Sequence, residues 1–261
     1  MLFCFEIKAQ TNDTIALHEI EISTSKLNYG ITGRKFQNID STTLDLFKNQ
    51  TLADLLASTT PIFIKNYGAG ALSTTSFRGG NASQTAILWN GINIQNSMPG
   101  QVDLSNISNN LFSDVSIEYG GSSALRGSGA IGGAIHLGNN IEFNKATYTK
   151  LNVMGSDVGL KSIGSDIGFS NSKFSFCLKA FGVKNENEFS YFDKSDAKIV
   201  RQKNADYEQI TALPEFKYKI NSHQTLSAGA CLLKGVRNFP SLNKLLILQM
   251  STSTQRKINL F

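Results

Sequence analysis

Thirteen of the chain's 22 glycines fall between Gly68 and Gly138. Glycine permits φ > 0 and close backbone approach, so this stretch must be a heavily turned unit, not a long helical one. Short apolar runs of strand length (Pro61 to Ile64, Ala86 to Trp89, Val115 to Tyr119, Ala134 to Leu137) alternate there with loops of Gly, Ser, Asn and Gln. Asn49 to Ser58 reads as a short amphipathic helix with Leu52, Leu55 and Leu56 on one face, ended by Pro61. A strand is expected over Ile62 to Lys65. Asn90-Gly91, between Thr85–Trp89 and Ile92–Ile94, predicts a hairpin, because both turn residues tolerate φ > 0.

After Asn140 the rhythm changes to strand alternation. Phe174, Phe176, Leu178 and Ala180 share one face, and Lys173, Ser175, Cys177 and Lys179 share the other. Ile210, Ala212, Phe216, Tyr218 and Ile220 likewise oppose Thr211, Glu215, Lys217 and Lys219. Two accounts fit this half by itself: a membrane barrel with apolar residues outward, or a soluble β-sandwich with one wet face. Asn171-Ser172 and Asn221-Ser222 are expected tight turns, and residues 185–205 a longer polar connection.

Several function classes are excluded by the same residues. No window approaches the ~18 consecutive apolar residues of a membrane helix, which leaves a barrel open. The net charge of +5 comes from scattered Lys and Arg, so no nucleic-acid partner is expected. Cys4, Cys177 and Cys231 are odd in number and far apart, and histidine occurs only at 18, 136 and 223, so no disulfide framework or metal centre is expected. Asp193 and Asp196, in a lysine-containing loop, are read as solvated acids. His136, among apolar residues, is read as a hydrogen-bonded structural histidine. Gly127 to Gly132 satisfies G-x-G-x-x-G, but a short strand follows where a dinucleotide site needs a helix. G-x-S-x-G is absent. No cofactor and no enzyme activity are expected.

At the start, Met1 to Gln10 resembles the tail of a secretory signal without a basic start or a full apolar region. Thr14 to Ser23 suits an extended strand, either an ordinary edge strand or one that adds to a partner's sheet.

The ordered series LADLLAST, SFRGGNASQTAILWNGI, DLSNI and VSIEYGGSSALRGSGAIGGAI resembles the plug domain of TonB-dependent outer-membrane receptors, over about Leu17 to Leu137. In GAGALSTTSFRGGNAS and GQVDLSNI it is most similar to the cobalamin-receptor branch. The family's usual Arg-Gly-Pro is replaced here by Tyr119-Gly120-Gly121, and its Tyr-Gly by Arg126-Gly127. The resemblance implies an outer-membrane location, contact with membrane lipid, and a scarce nutrient as ligand: cobalamin or a related corrinoid first, a ferric siderophore second. It implies that Ala71, Leu72, Ser73, Asn93, Gln95, Asn96, Ser97 and Met98 lie on ligand-facing apices. The strand Ile15, Ala16, Leu17, His18, Glu19, Ile20, Glu21, Ile22 would pair with TonB. Arg78 and Glu118 would be structural or gating members of a charged cluster. A non-transporting β-rich surface binding module is the reading from another class.

The expected fold is therefore an α+β plug domain followed by antiparallel transmembrane β-barrel strands. Its divisions are 1–10 (signal remnant), 11–48 (docking strand and lead-in), 49–140 (plug) and 141–261 (first part of the barrel). Plugged transporters close with 22 strands, on the order of 450 residues. Only about five strands fit after Thr147, so an incomplete barrel in a truncated chain is expected.

Overall fold

A computed structural model describes residues 35–120, 127, 129–157, 159–193, 197–221 and 224–238. The signal-like start and the Ile15–Ile22 strand lie outside these residues.

β1 (Lys35–Asn38) leads into α1 (Ser41–Leu46), whose first turn is closed by Asp40. The Thr42 and Thr43 hydroxyls and the Thr43 N–H donate to that carboxylate and hold it well below the usual range. α2 (Leu52–Thr59) begins with a capping box: Thr51 Oγ1 accepts from Asp54 N at 3.3 Å, and Asp54 Oδ2 accepts from Thr51 N at 3.1 Å. Its apolar stripe, Leu52, Leu55 and Leu56, is fully buried. The helix starts three residues later than the sequence reading placed it, because Thr51 supplies the cap.

The hairpin of β2 (Phe63–Asn66) and β3 (Ser73–Ser76) follows, then β4 (Thr85–Trp89) and β5 (Ile92–Asn93). Asn90 (φ 48°) and Gly91 (φ 84°) form the expected left-handed turn. β6 (Asp114–Tyr119) and β7 (Gly133–Gly138) complete a sheet of order β1-β6-β7-β4-β5, in which β4 and β7 run parallel. β4 is buried on both faces, which is why its Ala86–Trp89 run is continuously apolar. Ile87 and Trp89 join the core that contains the α2 leucines, whereas Ala86 and Leu88 pack with Ala130 and Ala134. Because β1 pairs with β6, this unit begins by Lys35, ahead of the expected Asn49.

The second sheet contains β8 (Tyr148–Gly155), β9 (Leu160–Ser170), β10 (Phe174–Asn185) and β13 (Tyr207–Lys219). A separate hairpin, β11 (Ser190–Asp193) and β12 (Lys198–Arg201), rises from the long connection. β14 (Thr225–Gly229) and β15 (Leu232–Arg237) both pair with β13 in one register, Glu215↔Gly229 and Ala212↔Leu232. They are one strand interrupted opposite Pro214, whose ring nitrogen cannot donate. Among the described residues, five strands thus stand side by side. Asn171 makes its turn by accepting from the Lys173 and Phe174 N–H groups.

This sheet is sided the opposite way from a water-soluble one. On β9, Ile163, Ile167 and Phe169 are exposed while Ser162 and Asp166 are buried. On β10 and β13, Ser175, Lys179, Gln209, Thr211 and Glu215 are buried against the first sheet's domain, and Ile210 is 66% exposed. A soluble sandwich would leave this polar face wet and cover the apolar one. Strands of 11, 12 and 13 residues are long enough for a tilted membrane crossing of about 9–11. Among the described residues, no helix is long and apolar enough to cross a membrane.

Candidate functional site

The inward face of the long sheet is a wall against which the N-terminal domain is seated by polar contacts. At their centre is Glu215, 3% exposed on β13. Its two oxygens accept from Asn90 Nδ2 at 2.5 Å and Asn139 Nδ2 at 2.6 Å. Asn90 stands in the hairpin turn after β4 and Asn139 directly follows β7, so the parallel pairing of β4 with β7 brings both amides to one end of the sheet. Asn139 Oδ1 accepts from Lys179 Nζ at 2.7 Å and from Ser113 N at 2.9 Å. Lys179 in turn lies 3.9 Å from Asp166. A buried lysine and a buried glutamate are thus bridged by one neutral amide, which supplies a donor to one and an acceptor to the other.

A second cluster lies on the turn before β6. Arg237 of β15 donates to Asp103 Oδ2 at 3.2 Å, to Ser105 Oγ at 2.9 Å and to Asn106 Oδ1. Gln209 Nε2 donates to Asn106 O at 2.7 Å. Steric contacts complete the seat. A Cβ on Gly229 would meet Trp89 at 3.1 Å, and one on Gly164 would meet Asn110 Nδ2 at 2.8 Å. Glycine at these wall positions leaves room for the Trp89 and Asn110 side chains of the plug. Beside the Glu215 seam is a polar cavity of about 530 Å³, lined by Asn90, Ser113, Asp114, His136 and Asn139 among others.

The expected apices divide into outward and inward groups. Leu72, Asn96, Ser97 and Met98 are exposed, Met98 at 93%. Ser73, in contrast, is buried in β3, its N–H donating to Asp103 Oδ1. Asn93 and Gln95 bond each other at 2.9 Å, and Gln95 Nε2 also donates to Thr85 O and Gly100 O. Those two amides staple the loop to itself, and Ala71 is half-buried.

Arg78 and Glu118 are not brought together. Arg78 is exposed in a left-handed turn (φ 47°). Glu118 is fully buried, with His136 Nε2 3.0 Å from its Oε2. His136 is a hydrogen-bonded structural residue, as its apolar neighbours suggested. G-x-G-x-x-G leads into β7, not a helix, and a Cβ on its last glycine, Gly132, would lie 3.0 Å from Phe77 Cβ. Among the described residues no cluster of His, Cys, Asp or Glu could hold a metal.

The sequence reading missed Asn90 as more than a turn residue, and missed Asn139 and Arg237 altogether. Asparagine in a polar loop is indistinguishable from a solvated one until its partner on a distant strand is known.

Residues 32–134 match the family model described as the TonB-dependent receptor plug domain. Residues 32–134 are thus similar to TonB-dependent receptor plugs. The solved structures it resembles have the same plug-and-wall arrangement. The copper transporter OprC matches with a TM-score of 0.62 at 15% identity, over 78% of this chain and 32% of that one. The pyoverdine outer membrane receptor FpvA from Pseudomonas aeruginosa PAO1 gives 0.59 at 13%, over 78% and 29%. The siderophore receptor PiuA from Acinetobacter baumannii gives 0.57 at 16%, over 77% and 26%. The chain therefore spans about a quarter to a third of the length of these structures, and β8–β15 correspond to part of a barrel. TonB-dependent receptors are outer-membrane transporters, not enzymes, and the exposed apolar side of the wall resembles the face that such a barrel turns to lipid.

Proposed function

We propose that this chain is the plug and first wall strands of a TonB-dependent receptor that takes up a scarce metal-containing nutrient, a corrinoid such as cobalamin first. The observation that carries this reading is the seam at Glu215, where the plug is fastened to the wall mainly through neutral amides. Hydrogen bonds of this kind contribute about 0.5–1.5 kcal/mol each, and about 1.5–3 when one partner is charged. A plug seated this way is held firmly at rest yet released stepwise by a pull. TonB would supply that pull by pairing with Ile15 to Ile22, and the polar cavity beside Asn139 would become the start of a path along the wall. Ligand would be met at the tips formed by Leu72 and Asn96 to Met98. Their mixture of neutral polar and apolar groups suits a large, mostly uncharged ligand.

The order of ligands rests on GAGALSTTSFRGGNAS and GQVDLSNI. The names of the similar structures, which include copper, pyoverdine and siderophore proteins, support a metal-chelate cargo more broadly and make a ferric siderophore the second reading. Titration of the full-length protein with cyanocobalamin and with ferric siderophores decides between them. Saturable corrinoid binding, weakened by Met98→Ala, is the expected result. Saturable binding of a ferric siderophore with none of cobalamin would overturn the first choice. Nutrient uptake unaffected by deletion of residues 15–22 would remove the TonB step.

A further inference from the structure

The two tips proposed to meet ligand are both tied to one pair of wall residues. Tyr207, the first residue of β13, and Arg237, the last of β15, are direct cross-strand partners. Both side chains are half-buried on the inward face, in line with Gln209 and Thr211. The pair closes the end of the wall nearest the long 186–206 connection. Asn238 ties that end shut, its N–H donating to Asp206 O and its Nδ2 to Asp206 Oδ2, each at 2.9 Å.

Tyr207 holds the first tip. The turn between β2 and β3 is braced within itself, Tyr67 N donating to Leu72 O and Ala71 N to Gly68 O. Its place against the wall is set at Gly70 (φ 70°), where an added Cβ would overlap Tyr207 Cδ1. The aromatic ring thus fills the room that a side chain at Gly70 would need.

Arg237 holds the second. The loop of residues 93–100 runs directly on to Asp103, whose carboxylate takes five donors. Oδ1 accepts from Ser73 N, Ser105 N and Ser105 Oγ, and Oδ2 accepts from Asn106 Nδ2 at 3.1 Å and Arg237 Nη1 at 3.2 Å. Ser73 directly follows the first tip, so Asp103 joins the two tips and Arg237 joins Asp103 to the wall. The two charged side chains are 21% and 20% exposed, so this charge-assisted bond is screened less than one on the open surface.

We propose that Tyr207 and Arg237 are positioning residues for ligand capture. They fix the spacing between Leu72 and the Asn96–Met98 loop, and so set affinity without touching the ligand. A ligand that bridges both tips binds only molecules in which both are in place, so loosening either one raises the apparent dissociation constant in proportion. The inference rests on reading these tips as the ones that face ligand.

The test uses the full-length protein in detergent, with two readouts. Hydrogen exchange without ligand compares the tips (residues 66–73 and 93–103) with the rest of the plug (residues 111–120). Titration with cyanocobalamin, or with ferric pyoverdine where the corrinoid does not bind, gives the affinity. Tyr207→Ala and Arg237→Gln should speed exchange at the tips alone and each weaken binding roughly tenfold. Tyr207→Phe keeps the ring on Gly70 and should bind as the parent does. Arg237→Lys should recover only part of the loss, because a point charge cannot reproduce the fork that reaches Asp103, Ser105 and Asn106. Tips that exchange as in the parent, exchange that speeds up throughout the plug, or loosened tips with parental affinity would each overturn the proposal. Binding of neither probe by the parent would refute the reading of the tips on which it stands. Binding by the parent that Tyr207→Ala and Arg237→Gln fully share would sink the positioning role alone.

Discussion

Asn139→Ala is the most informative single perturbation of the seat. Asn139 is 9% exposed and makes five hydrogen bonds: to Glu215, Lys179, Leu111 O, and the amide and hydroxyl of Ser113. Two of its partners are ionised, and such bonds contribute about 1.5–3 kcal/mol each. The three neutral ones are partly replaced by water once the cavity beside them admits it. Truncation should therefore cost about 3–6 kcal/mol of seating energy, raising the population of unseated plug by roughly 10²–10⁴. The barrel should remain intact, since no wall-to-wall hydrogen bond is touched. Hydrogen exchange of the full-length protein in detergent is the assay, with peptides spanning residues 111–120 and 133–140 as reporters. Asn139→Asp, equal in size, should open the plug at least as far, because it sets a second carboxylate against Glu215. If both variants exchange within threefold of the parent in these peptides, the amide bridge does not hold the plug.

Gly164→Val should also loosen the plug, since its first added carbon already lies 2.4 Å from Asn152 Oδ1 and 2.8 Å from Asn110 Nδ2; faster exchange at residues 108–112 would report it. Thr51→Ala removes the capping box of α2 and should lower plug stability by about 1 kcal/mol, readable by thermal melting, while Leu55→Ala should cost about 2–5 kcal/mol through a buried cavity. Burial pushes the Tyr119 phenol up from its ordinary value, and the phenol donates to Gln37 Oε1 at 2.6 Å. A raised folded-state value means the contribution is fully present below about pH 10 and is lost as pH rises through the folded value. The β1–β6 amides should therefore exchange faster above that pH, and Tyr119→Phe should abolish this pH-dependent step.

Part of this protein is written locally. The Asn90-Gly91 hairpin, the α2 leucine stripe and the opposed faces of β10 follow from turn chemistry and from periods of 3.6 and 2, which involve only neighbours in the chain. What no local pattern contains is which polar groups meet across the seat. Glu215 and Asn139 are 76 residues apart, and Arg237 and Asp103 are 134 apart; their pairing depends on strand register and on how the plug sits against the wall. The same cause buried Ser73 in β3, tied Asn93 to Gln95, and set Glu118 beside His136. A polar side chain has many acceptable partners, and only the assembled tertiary structure removes all but one from water and from the alternatives.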